Sequence, residues 1–239
     1  MFGREDEVAG SGGQGGLTDV RGAQRVPHRV ATVTAGGTGA GDGSHDRQDR
    51  GVTTTPDWLS STLAADATGG VGALAPWVQA PGSTARITGP ALVVGVARDD
   101  NSPMRQVPDA VSAPGAVLVV GGAAESRTAV LGDLVARELL RAGVVAVVTD
   151  GCVRDASAVR ELGLPVWARG HTSVASRKDD LGYVGGVVPI AGAVVHDGDL
   201  VVADSDGVVV WPAAQVEQLL SRAAAKREAD EQRLAAMET

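Results

Sequence analysis

The run Val144-Val145-Ala146-Val147-Val148 is apolar at every position. A strand with one wet face alternates apolar and polar residues, so an unalternating, β-branched run requires cover on both faces. That condition selects an α/β fold, in which helices flank a sheet. The flanking residues agree. A short amphipathic helix opens at Gly132-Asp133-Leu134-Val135, and Gly143 ends it just before the run. After the run the chain breaks at Asp150-Gly151 and delivers Cys152-Val153-Arg154-Asp155. Loops that follow such strands lie at the carboxyl edge of the sheet, where open α/β folds gather ligand-binding groups. One connection therefore brings an acid (Asp133), a guanidinium (Arg154) and a second acid (Asp155) towards each other.

The rest of the chain divides into three parts. Residues 1–52 carry Gly at a density no packed element tolerates, as in Gly36-Gly37-Thr38-Gly39. Such a segment buries too little apolar surface to offset its ordering entropy. The expectation is a disordered or mis-called extension, with the native start near Val52. Residues 53–212 hold the folded domain, and residues 213–239 a C-terminal helix with Val216, Leu219, Leu220 and Ala223 on one stripe. Within the domain, Thr55 or Asp57 is placed to cap a first helix reaching about Asp66. Strands are expected at Ile87–Val96, Ala116–Val120 and Pro165–Arg169. A short helix is expected from Met104 to Val111, and another after Asp155. Beyond an exposed loop from His171 to Asp180 come strands at Val184–Ile190, Ala193–Val195, Leu200–Ala203 and Val208–Trp211.

Bulk properties exclude several functions. The formal charge of -8 disfavours a partner held by phosphate contacts, nucleic acid above all. One cysteine allows no intramolecular disulfide and no Cys-rich zinc site. No apolar run is long enough to span a membrane, so a cytoplasmic location is the expectation. Asp179, Asp180, Asp197, Asp199, Asp204 and Asp206 do not have calcium-loop spacing and read as turn residues. His171 reads as a polar loop residue and Cys152 as inert. Gly121-Gly122 lacks the remainder of any nucleotide-binding loop.

The three central residues each have two readings. Gly132 to Val135 exposes helix N–H groups suited to a carboxylate, or Asp133 simply caps its own helix. Arg154 can hold a carboxylate or an enolate oxygen with two N–H bonds, and a lone Asp155 suits Mg²⁺ or Mn²⁺ completed by water. The alternative is a local surface ion pair.

Asp133, twenty intervening residues and then Arg154-Asp155 resemble the Asp-x20-Arg-Asp motif of one family. That family joins the regulator of ribonuclease E activity A to the 4-hydroxy-4-methyl-2-oxoglutarate aldolases. Ile87-Thr88-Gly89-Pro90-Ala91 with Asp100-Asn101 is similar to its early strand and loop. Leu164-Pro165-Val166-Trp167-Ala168-Arg169-Gly170 and Gly198 to Val209 are similar to its later strands. The resemblance implies a swivelling β/β/α fold, with mixed sheet layers and flanking helices, assembled as a homotrimer or a trimer-based hexamer. It implies metal-dependent cleavage of 4-hydroxy-4-methyl-2-oxoglutarate to pyruvate, with oxaloacetate decarboxylation alongside. By the same resemblance Asp155 ligates Mg²⁺ or Mn²⁺, and the substrate carboxylate rests on Gly132, Asp133, Leu134 and Val135. Arg154 holds the keto oxygen and stabilises the enolate, Asp133 orients Arg154 or a metal-bound water, and Glu228 or Glu231 of a neighbouring subunit completes the site. Two departures are visible: Ala156-Ser157-Ala158 follows the motif where the family often carries an acid, and Gly121-Gly122 stands where an Asp is common. The alternative function within the same family is a non-catalytic, protein-binding regulator of ribonuclease activity. A menaquinone methyltransferase is rejected, since no glycine-rich adenosyl-binding loop follows a strand.

Overall fold

Pro90 has no backbone N–H, and the architecture turns on where that gap falls. In the computed structural model, which describes residues 55–238, strand β1 spans Ile87–Val96. A helical and turn region, residues 97–115, follows, containing a 3₁₀ segment at Ser102–Gln106 and α2 (Val107–Ala110). Then come β2 (Ala116–Gly121), α3 (Asp133–Ala142), β3 (Val144–Thr149), β4 (Cys152–Val153) and α4 (Ala156–Glu161). Short strands β5 (Val166–Trp167), β6 (Gly170–His171) and β7 (Gly182–Val184) lead into the β8–β9 hairpin (Val187–Ile190, Ala193–His196). Strands β10 (Leu200–Ala203) and β11 (Val208–Trp211) precede the last helix, α5 (Val216–Met237); the first, α1, is Ser61–Thr68. The expectations for residues 1–52 lie outside the described residues.

The main sheet runs β11-β10-β1-β2-β3-β5, with β7 also on β1. Ile87 to Pro90 pairs antiparallel with β10, and from Ala91 onward β1 pairs parallel with β2. The change of partner occurs at Pro90, the one position in the strand that has no donor to give. The parallel half, β1-β2-β3-β5, is the α/β portion, and the antiparallel strands curl away from it.

Burial explains the unalternating runs. From β1, β2 and β3, Val94, Val96, Leu118, Val120 and Val147 pack under α3 and α4 against Ala136, Leu139 and Val159. Their neighbours Val93, Val117, Val119 and Val148 point the other way, onto Val188, Ile190 and Val195 of the β8–β9 hairpin. Successive side chains of a strand face opposite sides, so both sets must be apolar. Helices, sheet and hairpin thus form a β/β/α stack. A third cluster seals the far side of β10–β11, where Val202, Val209 and Trp211 meet α1 and the Val216, Leu219 and Ala223 stripe of α5.

Several boundaries differ from expectation. Helix α1 is capped by Ser60, whose hydroxyl accepts from Leu63 N at 3.2 Å, and residues 56–59 form a turn. The expected Val184–Ile190 strand is two strands, because Gly185 and Gly186 adopt φ of 87° and 92° and turn the chain from β1 to β9. Pro165–Arg169 resolves into β5, with β6 following it. The segment 171–180 is tied down at Ala175 and Arg177, which bridge to Ala129 and Asp100. The acidic turn residues act as staples: Asp197 accepts from Val93 N at 2.8 Å, and the buried Asp199 accepts from Ala213 N at 3.0 Å.

Candidate active site

Two backbone hydrogen bonds bring the motif together. Val130 N donates to Cys152 O at 2.9 Å and Arg154 N to Leu131 O at 3.0 Å, zipping the loop before α3 along β4. The zip places Gly132 beside Arg154 and Asp155. Gly132, not Asp133, is the N-cap of α3, with φ of -136° and ψ of -165° and no side-chain cap. Asp133 is the first helical residue. Its carboxylate stands 3.8 Å from Arg137 Nε, one turn on. The cap reading of Asp133 is therefore replaced by an i,i+4 pair, and Arg154 has a different acid beside it.

That acid is Asp155. Its Oδ2 lies 3.3 Å from Arg154 Nε and accepts from Asp133 N at 3.4 Å. The residue has φ of 55°, an uncommon conformation outside glycine that Asp tolerates better than most. Strain of this kind collects at functional sites, and here it folds the carboxylate back over the start of α3. Gly132 makes room for it. A Cβ there would stand 2.4 Å from Asp155 Oδ2 and 2.9 Å from Arg154 Nε. Among the described residues, the N–H groups of Leu134 and Val135 have no acceptor, as expected for a helix start. They remain available to an anion.

Gly132, Leu134, Val135 and Arg154 line one cavity of about 170 Å³. Asp133 and Asp155 do not line it, although each is next in sequence to a residue that does. The sequence reading gave no site role to the polar residues among the rest of the lining, Asn101, Ser176 and Lys178. Lys178 Nζ donates to Asn101 Oδ1 at 3.0 Å, and Asn101 Nδ2 donates to Val130 O at 2.8 Å. The signal for Asn101 was its place in the early loop; nothing in the sequence singled out Lys178.

Asp155 offers a metal one carboxylate oxygen. Asp155 Oδ1 makes no hydrogen bond among the described residues, and the side chain is 41% exposed. A hard carboxylate oxygen with room for water is what Mg²⁺ and Mn²⁺ take when they keep several waters. Among the described residues no group of three or more His, Cys, Asp or Glu is arranged for a metal. The fit is to a cation on one protein ligand.

Nearby groups are structural. Asp150 accepts from Ala123 N at 2.9 Å and Gly122 N at 3.2 Å, bracing the β2 and β3 loops. Burial pushes its carboxyl above the usual range against those two donors. Cys152 is half-buried, with Arg169 Nη2 3.8 Å from Sγ. His171 lies on a second, larger cavity of about 380 Å³, which no carboxylate and none of the motif residues lines. Size alone favours that cavity; Arg154 and the start of α3 line the smaller one. Glu228 and Glu231 are exposed on α5, and Glu231 pairs with Arg227 Nε at 2.7 Å.

The profile of the family described as RraA-like, Aldolase/RraA, matches residues 61–210. A protein of Halalkalibacterium halodurans, provisionally named as a 4-hydroxy-4-methyl-2-oxoglutarate aldolase, is 33% identical over 175 residues, 73% of this chain and 83% of its own. Among solved structures, Streptomyces coelicolor RraAS2 is described as an unusual member of the RNase ES inhibitor RraA family. It is 30% identical at a TM-score of 0.65, over 76% of this chain and 94% of that one. The RNA-processing inhibitor RraA of Thermus thermophilis is 30% identical at a TM-score of 0.58, over 64% and 93%.

Proposed function

The chain belongs to the RraA-like family, and on that premise we propose that it is a divalent-metal-dependent carbon–carbon lyase acting on pyruvyl compounds. The named reaction is cleavage of 4-hydroxy-4-methyl-2-oxoglutarate to pyruvate, with oxaloacetate decarboxylation as a secondary activity. The observation that carries the reading is that Arg154, with Asp155 beside it, and the open start of α3 meet on one small cavity.

The substrate's 2-oxo carboxylate rests on the free N–H groups of Leu134 and Val135, where the helix dipole favours negative charge. Arg154 directs its guanidinium at the keto oxygen. Breaking the carbon–carbon bond sends an electron pair towards that oxygen, and a fixed cation there lowers the barrier because the charge develops in the transition state. Mg²⁺ or Mn²⁺, held by Asp155 with water, would add Lewis-acid polarisation of the same oxygen. Asp155 also keeps Arg154 from swinging into solvent through their 3.3 Å contact. Asp133 belongs to the proposal as a positioning residue for Arg154, although Arg137 is its partner here. The proposed assembly is a homotrimer or trimer-based hexamer in the cytoplasm, with Glu228 or Glu231 of α5 reaching a neighbouring chain's site. Among the described residues no helix is long and apolar enough to cross a membrane.

A second reading has support in the two RraA structures, one described as an RNA-processing inhibitor and the other as an unusual member of an RNase-inhibitor family: a regulator that binds a ribonuclease through its surface. Oxaloacetate separates the two, since it needs only the pyruvyl subsite. The full chain is expected to decarboxylate it with Mg²⁺ and to stop with EDTA, and Asp155→Ala is expected to lose the response to added Mg²⁺. A folded protein with no rate above that of Mg²⁺ alone would sink the lyase. Inhibition of a purified ribonuclease would then decide for the regulator.

A further inference from the structure

The larger cavity, of about 380 Å³, is charged with one sign only. Arg160, Arg169 and His171 line it and no carboxylate does, in a chain whose formal charge is -8. The two arginines differ. Arg169 donates from Nη1 to Ala124 O and from Nη2 to Ser126 O at 3.0 Å, so it serves the loop before α3. Arg160 is exposed in the last turn of α4, and among the described residues its guanidinium has neither an acid nor a hydrogen-bond acceptor. Trp77 is the second unengaged group. Trp167 and Trp211 are fully buried and give their indole N–H to Asp204 O and Ala64 O, and Trp58 lies under the Arg227 guanidinium. Trp77 lines the cavity, is 41% exposed, and its N–H has no acceptor among the described residues. Leu164 and Val166 add apolar surface to the same lining. A largely apolar cavity with a few convergent polar groups is the usual form of a small-molecule site, and an open indole supplies it with both an apolar face and a donor.

We infer that the larger cavity is a second ligand site, separate from the motif pocket, and that it takes a planar aromatic carboxylate. The ring lies against Trp77, and the carboxylate meets Arg160. Each part of that ligand answers an observation. An open indole face favours an offset-stacked ring over a flexible chain. One guanidinium with its donors free matches a monoanion whose two oxygens lie in a plane, because the paired fork uses both. Arg169 adds positive field while keeping its bonds to the loop. The volume, at the low end for small-molecule pockets, suits one ring or two fused rings. Val153 and Ala156 also line this cavity, and they stand on either side of Arg154-Asp155 in sequence. An occupant therefore bears on the segment that carries the motif, although no motif residue lines its cavity. The inference does not depend on the lyase reading, since it rests on other residues and on binding alone.

The test is calorimetric titration of the full chain with 2-naphthoate. Its uncharged counterpart is 2-naphthalenemethanol, and cyclohexanecarboxylate is the carboxylate without an aromatic ring. Wild type is expected to bind one 2-naphthoate per chain with a Kd of about 10⁻⁴–10⁻³ M. The other two compounds are expected to bind about tenfold more weakly. Arg160→Gln is expected to weaken 2-naphthoate about tenfold and to leave the alcohol unchanged. Trp77→Ala is expected to weaken both naphthyl compounds by about tenfold, and Trp77→Phe to keep most of the affinity. Arg154→Gln is expected to leave 2-naphthoate binding unchanged, which separates the two cavities. A second readout needs no variant to fold: in wild type the ring protons of bound 2-naphthoate are expected to show nuclear Overhauser effects to the Trp77 indole. No saturable binding, equal affinity for 2-naphthoate and its alcohol, or a loss in Arg154→Gln that Arg160→Gln does not show would each overturn the inference.

Discussion

Gly132→Ala is expected to reduce turnover by about 10²–10³-fold while leaving the protein folded. The added methyl would stand 2.4 Å from Asp155 Oδ2 and 2.9 Å from Arg154 Nε. One or both of those side chains must move, and both are free to do so, at 41% and 39% exposure. Moving an exposed side chain costs the fold little. For the reaction the same shift is severe, because displacement of a positioned group by about 1 Å costs on the order of 10²-fold, and loss of one preorganised charge-stabilising donor costs 10²–10³-fold. Backbone strain does not enter, since Gly132 has φ of -136°, a conformation open to any residue. Melting temperature and steady-state rate on the same sample check the expectation. A variant with wild-type turnover would show that Arg154 and Asp155 do not need their present places. A variant that fails to fold would show that the site bears more of the stability than its exposure indicates.

The contrast between what the sequence revealed and what it concealed follows from the range of the interactions. The parallel strands and α3 were legible because burial on both faces leaves a local mark, an apolar run closed by Gly143. Gly132, Arg154 and Asp155 were legible as neighbours in one connection. The start of α1 was not. Thr55, Asp57 and Ser60 are all competent caps, and the choice of Ser60 depends on Asp204, 143 residues beyond Ser61, taking the first helical N–H. The break of one expected strand at Gly185-Gly186 depends on which partners lie on either side, β1 for β7 and β9 for β8. Lys178 was hidden for the same reason. It reaches the cavity through Asn101, 77 positions earlier, after residues 175–177 fold back along Ala129 and Asp100. A polar loop in the sequence gave no sign of that return.

Asp204→Ala is expected to destabilise the protein by about 3–4 kcal/mol, more than any single change at the active site. Asp204 is 6% exposed. Its Oδ2 accepts from Ser61 N at 2.8 Å, and its Oδ1 accepts from Ser61 Oγ at 2.5 Å and from Asp206 N at 3.0 Å. Its carbonyl oxygen takes the indole N–H of the fully buried Trp167 at 2.8 Å. One residue thus fastens the first turn of α1, the β10–β11 turn and the end of β5. Truncation leaves Ser61 N and Oγ buried without their charged acceptor, and each such bond contributes about 1.5–3 kcal/mol. At roughly 2–4 °C per kcal/mol for a domain of this size, the melting temperature should fall by about 6–16 °C. The pH dependence gives an independent check. Burial pushes the Asp204 carboxyl up, but the Ser61 and Asp206 donors, with Arg86 nearby, outweigh it and hold the group below its ordinary value. A carboxyl depressed in the folded state stabilises above its unfolded pKa of about 3.9 and loses that contribution as the pH falls through the folded value. Wild type should therefore lose part of its stability below about pH 4, and Asp204→Ala should lose less over the same interval. Ser61→Ala removes only the hydroxyl bond, keeps the backbone one, and should cost about 1–1.5 kcal/mol. Equal melting temperatures for Asp204→Ala and wild type would mean that α1 is held by its apolar contacts with α5 and β11 alone, and that the carboxylate staple is incidental.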